Sequence, residues 1–142
     1  RKGIVLRDQW NQGAKSYLGL GVSNFPNLFT ITGPGSPSVL SNMMPSIEQH
    51  VNWIADCISW MIDNDKSVIE SSIAAEEEWM NLVNEIAGMT IFKSTESWYN
   101  GSNIDSKAKA FLPFIGVPMY TEKLDEITEN NYQGFIFDVS NK

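Results

Sequence analysis

Cysteine is nearly missing from this sequence. Cys57 stands alone, which excludes an internal disulfide and any zinc site built on several thiolates. A lone thiol suits a reducing cytoplasm, and that is the expected location. Histidine is as scarce: with His50 the only imidazole, the chain cannot supply a site that needs two. Basic residues are outnumbered, with 10 Lys and Arg against 17 Asp and Glu and a formal net charge of −7. Non-specific nucleic-acid binding needs clustered cations to release phosphate counterions, and no basic stripe is present. No apolar run approaches the roughly 20 residues of a membrane-spanning helix. The opening Arg1–Arg7 is charged and interrupted too soon for a secretory signal. It reads as mid-chain material, since no cap or turn introduces it. Asn100-Gly101-Ser102 fits a glycosylation acceptor, an incidental match in a chain without a secretory signal.

What is present supports a folded protein. The 142 residues suit one domain, and 42% hydrophobic content with modest charge argues against disorder. Leu28–Thr32 is β-branched and aromatic, as expected for a short buried strand. Gly33–Ser38 then breaks regular structure, since its glycines permit unusual dihedrals and its prolines restrict theirs. A long helix follows, with Pro45 in its first turn. Met44, Ile47, Val51, Ile54, Ile58, Met61 and Ile62 recur at helical steps, predicting one apolar face, and Asp63-Asn64-Asp65 closes it. A second helix is expected over about 68–87, with Ile69, Ile73, Ala75, Trp79, Leu82, Val83 and Ile86 inside and Glu76, Glu77, Glu78 and Glu85 outside. Residues 95–109 read as an exposed loop carrying Trp98-Tyr99. A short helix around 121–130 and a strand over 134–138 complete the chain. Five tryptophans in so irregular a chain call for a larger core or a partner surface.

A loop between a strand and a helix is where α/β proteins place ligands, because its amides and the first helical turn point at whatever sits above. Gly33–Ser38 is neither a Walker A loop nor a dinucleotide fingerprint: no Gly-Lys-Ser/Thr follows, and Ser38 stands where a further glycine belongs. From its residues alone, a structural turn and a ligand loop are equally supported. Gly19-Leu20-Gly21 has no helix after it, which argues against phosphate binding. No Gly-x-Ser-x-Gly elbow occurs. His50, on a mid-helix flank, reads as a surface or capping residue. Glu76, Glu77 and Glu78 point in different directions on a helix and read as a solvated face rather than a cation site.

Several strings carry a resemblance. They are Gly13-Ala14-Lys15-Ser16-Tyr17-Leu18-Gly19, Asn24-Phe25-Pro26-Asn27-Leu28-Phe29, Gly33-Pro34-Gly35-Ser36-Pro37-Ser38-Val39-Leu40-Ser41-Asn42-Met43 and Ile47-Glu48-Gln49-His50-Val51. In order and spacing, they resemble the C-terminal third of Baeyer–Villiger monooxygenases, especially the phenylacetone and steroid monooxygenase branch. Ser97-Trp98-Tyr99-x-Gly101-x-Asn103 and Tyr132-x-Gly134-Phe135 extend the likeness over essentially the whole chain.

The resemblance implies an α/β fold, the C-terminal segment of a flavoprotein with two Rossmann-like dinucleotide-binding domains. Residues 1–66 would end the FAD-binding domain. Residues 67–142 would form a helical layer with a mobile NADP-contacting loop at 95–109. The implied cofactors are FAD and NADPH, and the implied reaction inserts oxygen from O2 into a ketone to give an ester or lactone. Ser41, Asn42 and Met43 would lie along the flavin, and Ser38, Val39, Leu40 and Met44 on the substrate side. Trp98 would fold over NADP, with Lys107 in the same loop. Asp105-Ser106 stands where the family usually has Pro-Gly, and Gly116-Val117 where it often has Gly-Gly. Both glycine fingerprints and the active-site arginine lie upstream in the family, so no catalytic residue is expected here. The missing N-terminal part of the chain is then the main partner, and the segment alone should be inactive. Two other readings remain: a related flavoprotein oxidising amines or sulfides, and a non-catalytic partner-binding module.

Overall fold

The computed structural model describes residues 3–37, 42–88, 114 and 116–138. A short helix α1 (Leu6–Gln9) runs into a 3-10 turn at Trp10–Gln12. The chain then folds through tight turns to the long helix α2 (Met43–Asp63), strand β1 (Val68–Ser71), helix α3 (Ile73–Gly88), helix α4 (Val117–Glu129) and strand β2 (Phe135–Asp138). The two strands pair antiparallel, Val68 opposite Asp138 and Ser71 opposite Phe135. No helix among the described residues is long and apolar enough to cross a membrane.

Helix α2 has both ends defined by its own sequence. Asn42 caps it, its side-chain oxygen accepting from Met44 N–H at 3.1 Å. At the other end Asp65 takes a positive φ of 54°, and the amides of Asp65 and Lys66 reach back to Ile62 and Met61. That is a Schellman closure with aspartate in the place glycine usually holds. Asp63-Asn64-Asp65 therefore ends the helix as its composition predicts.

The buried face of α2 differs in part from the expected one: Met61 is buried and Ile54 packs against the core as expected. Ser46, His50, Trp53, Cys57 and Met61 are buried. Met44, Val51, Ile58 and Ile62 are exposed, Ile62 at 70%. The inward polar groups of His50 and Trp53 are hydrogen-bonded, which makes their burial affordable. Ile58 and Ile62 border a groove with Phe29 and Ile69, while Met44 and Val51 stand exposed.

Three further expectations are corrected. Residues 68–71 are a strand, because Ser72 caps the following helix by accepting from Ala75 N–H at 3.1 Å; Ile73, expected inside, is exposed. Leu28–Thr32 forms no regular strand: Phe29 makes a single bridge to Gly21, and Thr32 turns to a positive φ of 52°. The last helix begins earlier, at Val117.

Aromatic packing inside the chain covers more tryptophan than its irregularity suggested. Trp53 and Trp60 both pack on Tyr132 at 5.2 Å, and they reach Phe135 and Phe137 on β2. Trp79 lies parallel to Phe114 at 5.1 Å and meets Tyr17 and Tyr120 edge-on. Such pairs add about 0.5–1.5 kcal/mol each beyond area burial.

Candidate functional site

Every carbonyl of the Gly33–Ser36 loop is held. Gly33 O accepts from Ser36 N–H at 3.1 Å and Ser36 Oγ–H at 2.7 Å. Pro34 O accepts from Ser16 Oγ–H at 2.6 Å, Gly35 O from the Trp79 indole N–H at 3.2 Å, and Ser36 O from Phe114 N–H at 2.9 Å. Pro37 bridges Phe114 in parallel. The loop is thus tied to the N-terminal turns, to α3 and to the segment that leads into α4. Residues held from so many directions lose most of their conformational freedom, which is what a preformed wall requires.

Two glycines are needed for this fit. A Cβ at Gly33 would stand 2.4 Å from Thr30 Oγ1 and 2.7 Å from Gly19 O. Gly35 has φ +79°, and its Cβ would approach Trp79 Nε1 at 3.0 Å.

The loop rests on the Tyr17–Gly21 turn, where Leu18 and Gly19 both have positive φ. Gly19 O accepts from Gly33 N–H at 3.1 Å and Thr30 Oγ1–H at 2.8 Å. The Gly19-Leu20-Gly21 string therefore serves as a platform for the loop. Upstream, two carboxylates hold the next turn. Buried Glu76 accepts from Ser23 N–H at 2.8 Å and Ser23 Oγ–H at 2.9 Å, while Glu70 accepts from Asn24 N–H at 2.8 Å. Glu76 was expected on a solvated face; its position is a correction, explained by the stranded donors it satisfies.

His50 is a further correction. It is fully buried, with Nδ1 accepting from Thr32 N–H at 2.9 Å and Nε2 2.7 Å from Tyr120 Oη. Burial pushes its pKa down to about 4, so the ring is neutral. Burial also pushes the Cys57 thiol up to about 12, which makes it a poor nucleophile at neutral pH. Among the described residues no three His, Cys, Asp or Glu groups converge to hold a metal.

Of the residues expected at the site, Asn42, Met43 and Met44 follow this loop on the first turn of α2, with Asn42 and Met44 exposed and Met43 half-buried. Ser38, Val39, Leu40, Ser41, Trp98 and Lys107 lie outside the described residues.

No family model matches the chain. Individual proteins do. The chain is 39% identical over 137 residues to a phenazine N-monooxygenase of Lysobacter antibioticus, covering 96% of this chain and 25% of that one. It is 37% identical over 139 residues to a Baeyer–Villiger monooxygenase of Pseudooceanicola batsensis, covering 97% and 25%. The cyclohexanone monooxygenase of Rhodococcus sp. Phi1, solved with NADP+ bound, superposes with a TM-score of 0.93 at 35% identity, covering 99% of this chain and 26% of that one. The chain is homologous to the Baeyer–Villiger flavin monooxygenases. It spans about a quarter of the length of the curated relatives it matches.

The chain's resemblance to flavin monooxygenases therefore extends to the overall fold as well as the sequence. Sequence reasoning missed the supports of the loop: Ser16, Trp79, His50 and Tyr120. One signal was available, the Ser46-His50-Trp53-Cys57-Met61 spacing, which also follows helical steps. The stronger aliphatic series on the neighbouring face masked it.

Proposed function

We propose that this chain is the C-terminal part of a flavin monooxygenase that uses FAD and NADPH to insert oxygen from O2 into a ketone, giving an ester or lactone. The carrying observation is the 0.93 TM-score over 99% of the chain to a cyclohexanone monooxygenase. When bound, NADPH supplies the reducing equivalents and FAD activates the oxygen. The rest of the chain, with both Rossmann-like domains and their glycine fingerprints, holds that redox machinery.

The described residues of the loop fit a flavin. Each Gly33–Ser36 carbonyl accepts from a protein donor, so the loop turns no unpaired acceptor toward a ring. A 21-residue helix follows, and its N-terminal dipole favours an electron-rich ligand edge. In this reading residues 1–66 end the FAD-binding domain and 67–142 form the helical layer. Ser41, Asn42 and Met43 contact the flavin, and Ser38, Val39, Leu40 and Met44 face an apolar ketone. Trp98 and Lys107, in the 95–109 loop, contact NADP. This segment orients cofactor and substrate and excludes water, and supplies no catalytic residue. The missing N-terminal part is the partner that covers Ile31, Met44, Val51, Ile58 and Ile62, all exposed here. A single buried thiol suits a cytoplasmic enzyme.

One observation favours a second reading. The relative at 39% identity is named for N-oxygenation, so a heteroatom substrate is the alternative. Product analysis of the flavoprotein carrying this chain, supplied with 18O2, NADPH and either a cyclic ketone or a tertiary amine, separates the two. A lactone with one labelled oxygen supports the ketone reading. An N-oxide without lactone replaces it with the second, and no oxygenation of either overturns both.

A further inference from the structure

Consecutive amides at the entrance of the loop are held by different bodies. Gly33 N–H donates to Gly19 O in the Tyr17–Gly21 turn, while Thr32 N–H donates to His50 Nδ1 on α2. Thr32 has φ 52°, a conformation that a β-branched residue resists, so this step needs an outside holder.

The second ring nitrogen determines how His50 holds it. Tyr120 has one hydroxyl proton and donates it to Leu18 O at 2.6 Å. Its oxygen must then accept from His50, at 2.7 Å, so the imidazole proton is on Nε2. That tautomer leaves the Nδ1 lone pair facing Thr32 N–H. Thr32, His50, Tyr120 and Leu18 form one chain of donors and acceptors running from the loop through α2 and α4 to the turn beneath the loop. The His50 and Tyr120 side chains in it are both fully buried, and every donor has an acceptor.

We infer that His50 is a positioning residue for the substrate-facing loop: its Nδ1 fixes the Thr32–Gly33 step, and the Tyr120 hydroxyl locks the tautomer that allows it. The inference rests on the proposed role of Gly33–Met44 as a pocket wall. His50 touches no substrate in this account and acts through the backbone it holds.

Two isosteric substitutions divide its contacts. His50→Asn places an amide oxygen where Nδ1 stood and gives up Tyr120. His50→Gln reaches Tyr120 and gives up the acceptor for Thr32. In the flavoprotein carrying this chain, His50→Gln should raise the KM for a ketone fivefold or more with kcat within twofold, and speed amide exchange at Thr32 at least tenfold. His50→Asn should keep both KM and Thr32 exchange within twofold, although both variants lower Tm. Equal KM and equal Thr32 exchange in the two variants would overturn the inference, leaving His50 as a tie between helices. A wild-type enzyme without ketone-dependent NADPH oxidation would instead sink the pocket-wall reading, and Thr32 exchange would still report on the tether. If neither variant folds, 15N NMR of the wild-type ring decides: a proton on Nε2 supports the inference, and one on Nδ1 overturns it.

Discussion

Trp79 donates its indole N–H to Gly35 O at 3.2 Å while its ring lies parallel to Phe114 at 5.1 Å. One side chain on α3 thus grips both the loop and the residue whose own amide holds Ser36. Trp79→Phe keeps a ring for Phe114 and strands a buried carbonyl, a loss of about 2 kcal/mol. Gly35→Ala should cost a similar ~2 kcal/mol, since it combines an unfavourable φ with a close approach to the indole. Urea unfolding measures both, and the double variant should lose less than the sum because the two residues share one contact.

Protonating His50 sets a pH dependence. Its folded pKa of about 4 lies below the ordinary 6.5, so between those values the unfolded state binds the extra proton. Stability from this group is present above about 6.5 and is lost as pH falls toward about 4. Urea midpoints of wild type and His50→Asn, compared from pH 7 to 4, should converge as the wild type loses this contribution. A gap that stays constant across the range would show that His50 does not titrate in this way.

Glu76 satisfies two donors of Ser23 from within the core. An amide has one oxygen, so Glu76→Gln turns a donor toward a donor and should cost about 2–3 kcal/mol. Ser23→Ala, which keeps the backbone bond, should cost about 1 kcal/mol. Chemical denaturation of the two variants checks the order, which depends on the carboxylate serving both groups.

The exposed stripe of α2 should make the chain self-associate when it is produced alone. Ile58 and Ile62 also line an apolar groove of about 320 Å³ with Phe29 and Ile69. Replacing both isoleucines with glutamate should raise the monomeric fraction in sedimentation without lowering helix content. In the flavoprotein the same change should lower stability by about 2 kcal/mol or more, because charge would enter a covered face.

How much of this was legible in the sequence depends on where the information lies. The C-terminal end of α2 is written locally, in Asp63–Asp65, and was readable; the Asn42 cap became visible only in the structure. The strand at Val68–Ser71 was absorbed into a helix because its partner, β2, lies more than sixty residues away. The buried face of α2 was misread for a related reason. Periodicity marks where apolar residues align, and here Met44, Val51, Ile58 and Ile62 of the aliphatic set are exposed while a polar and aromatic set is buried beside Met61. The loop's composition left turn and ligand site equally open. Its supports come from Ser16, Trp79 and Phe114, far apart in the chain, and no local pattern announces them.

The most direct test of the central claim is amide exchange across Asn42–Ser46 in the flavoprotein, compared with and without FAD. Removing FAD should speed exchange at Met43 and Met44 at least tenfold, while Trp79–Val83 on α3 is unchanged. Equal exchange at Met43 and Met44 in the two forms would contradict it, since a wall in contact with the flavin cannot be indifferent to its removal.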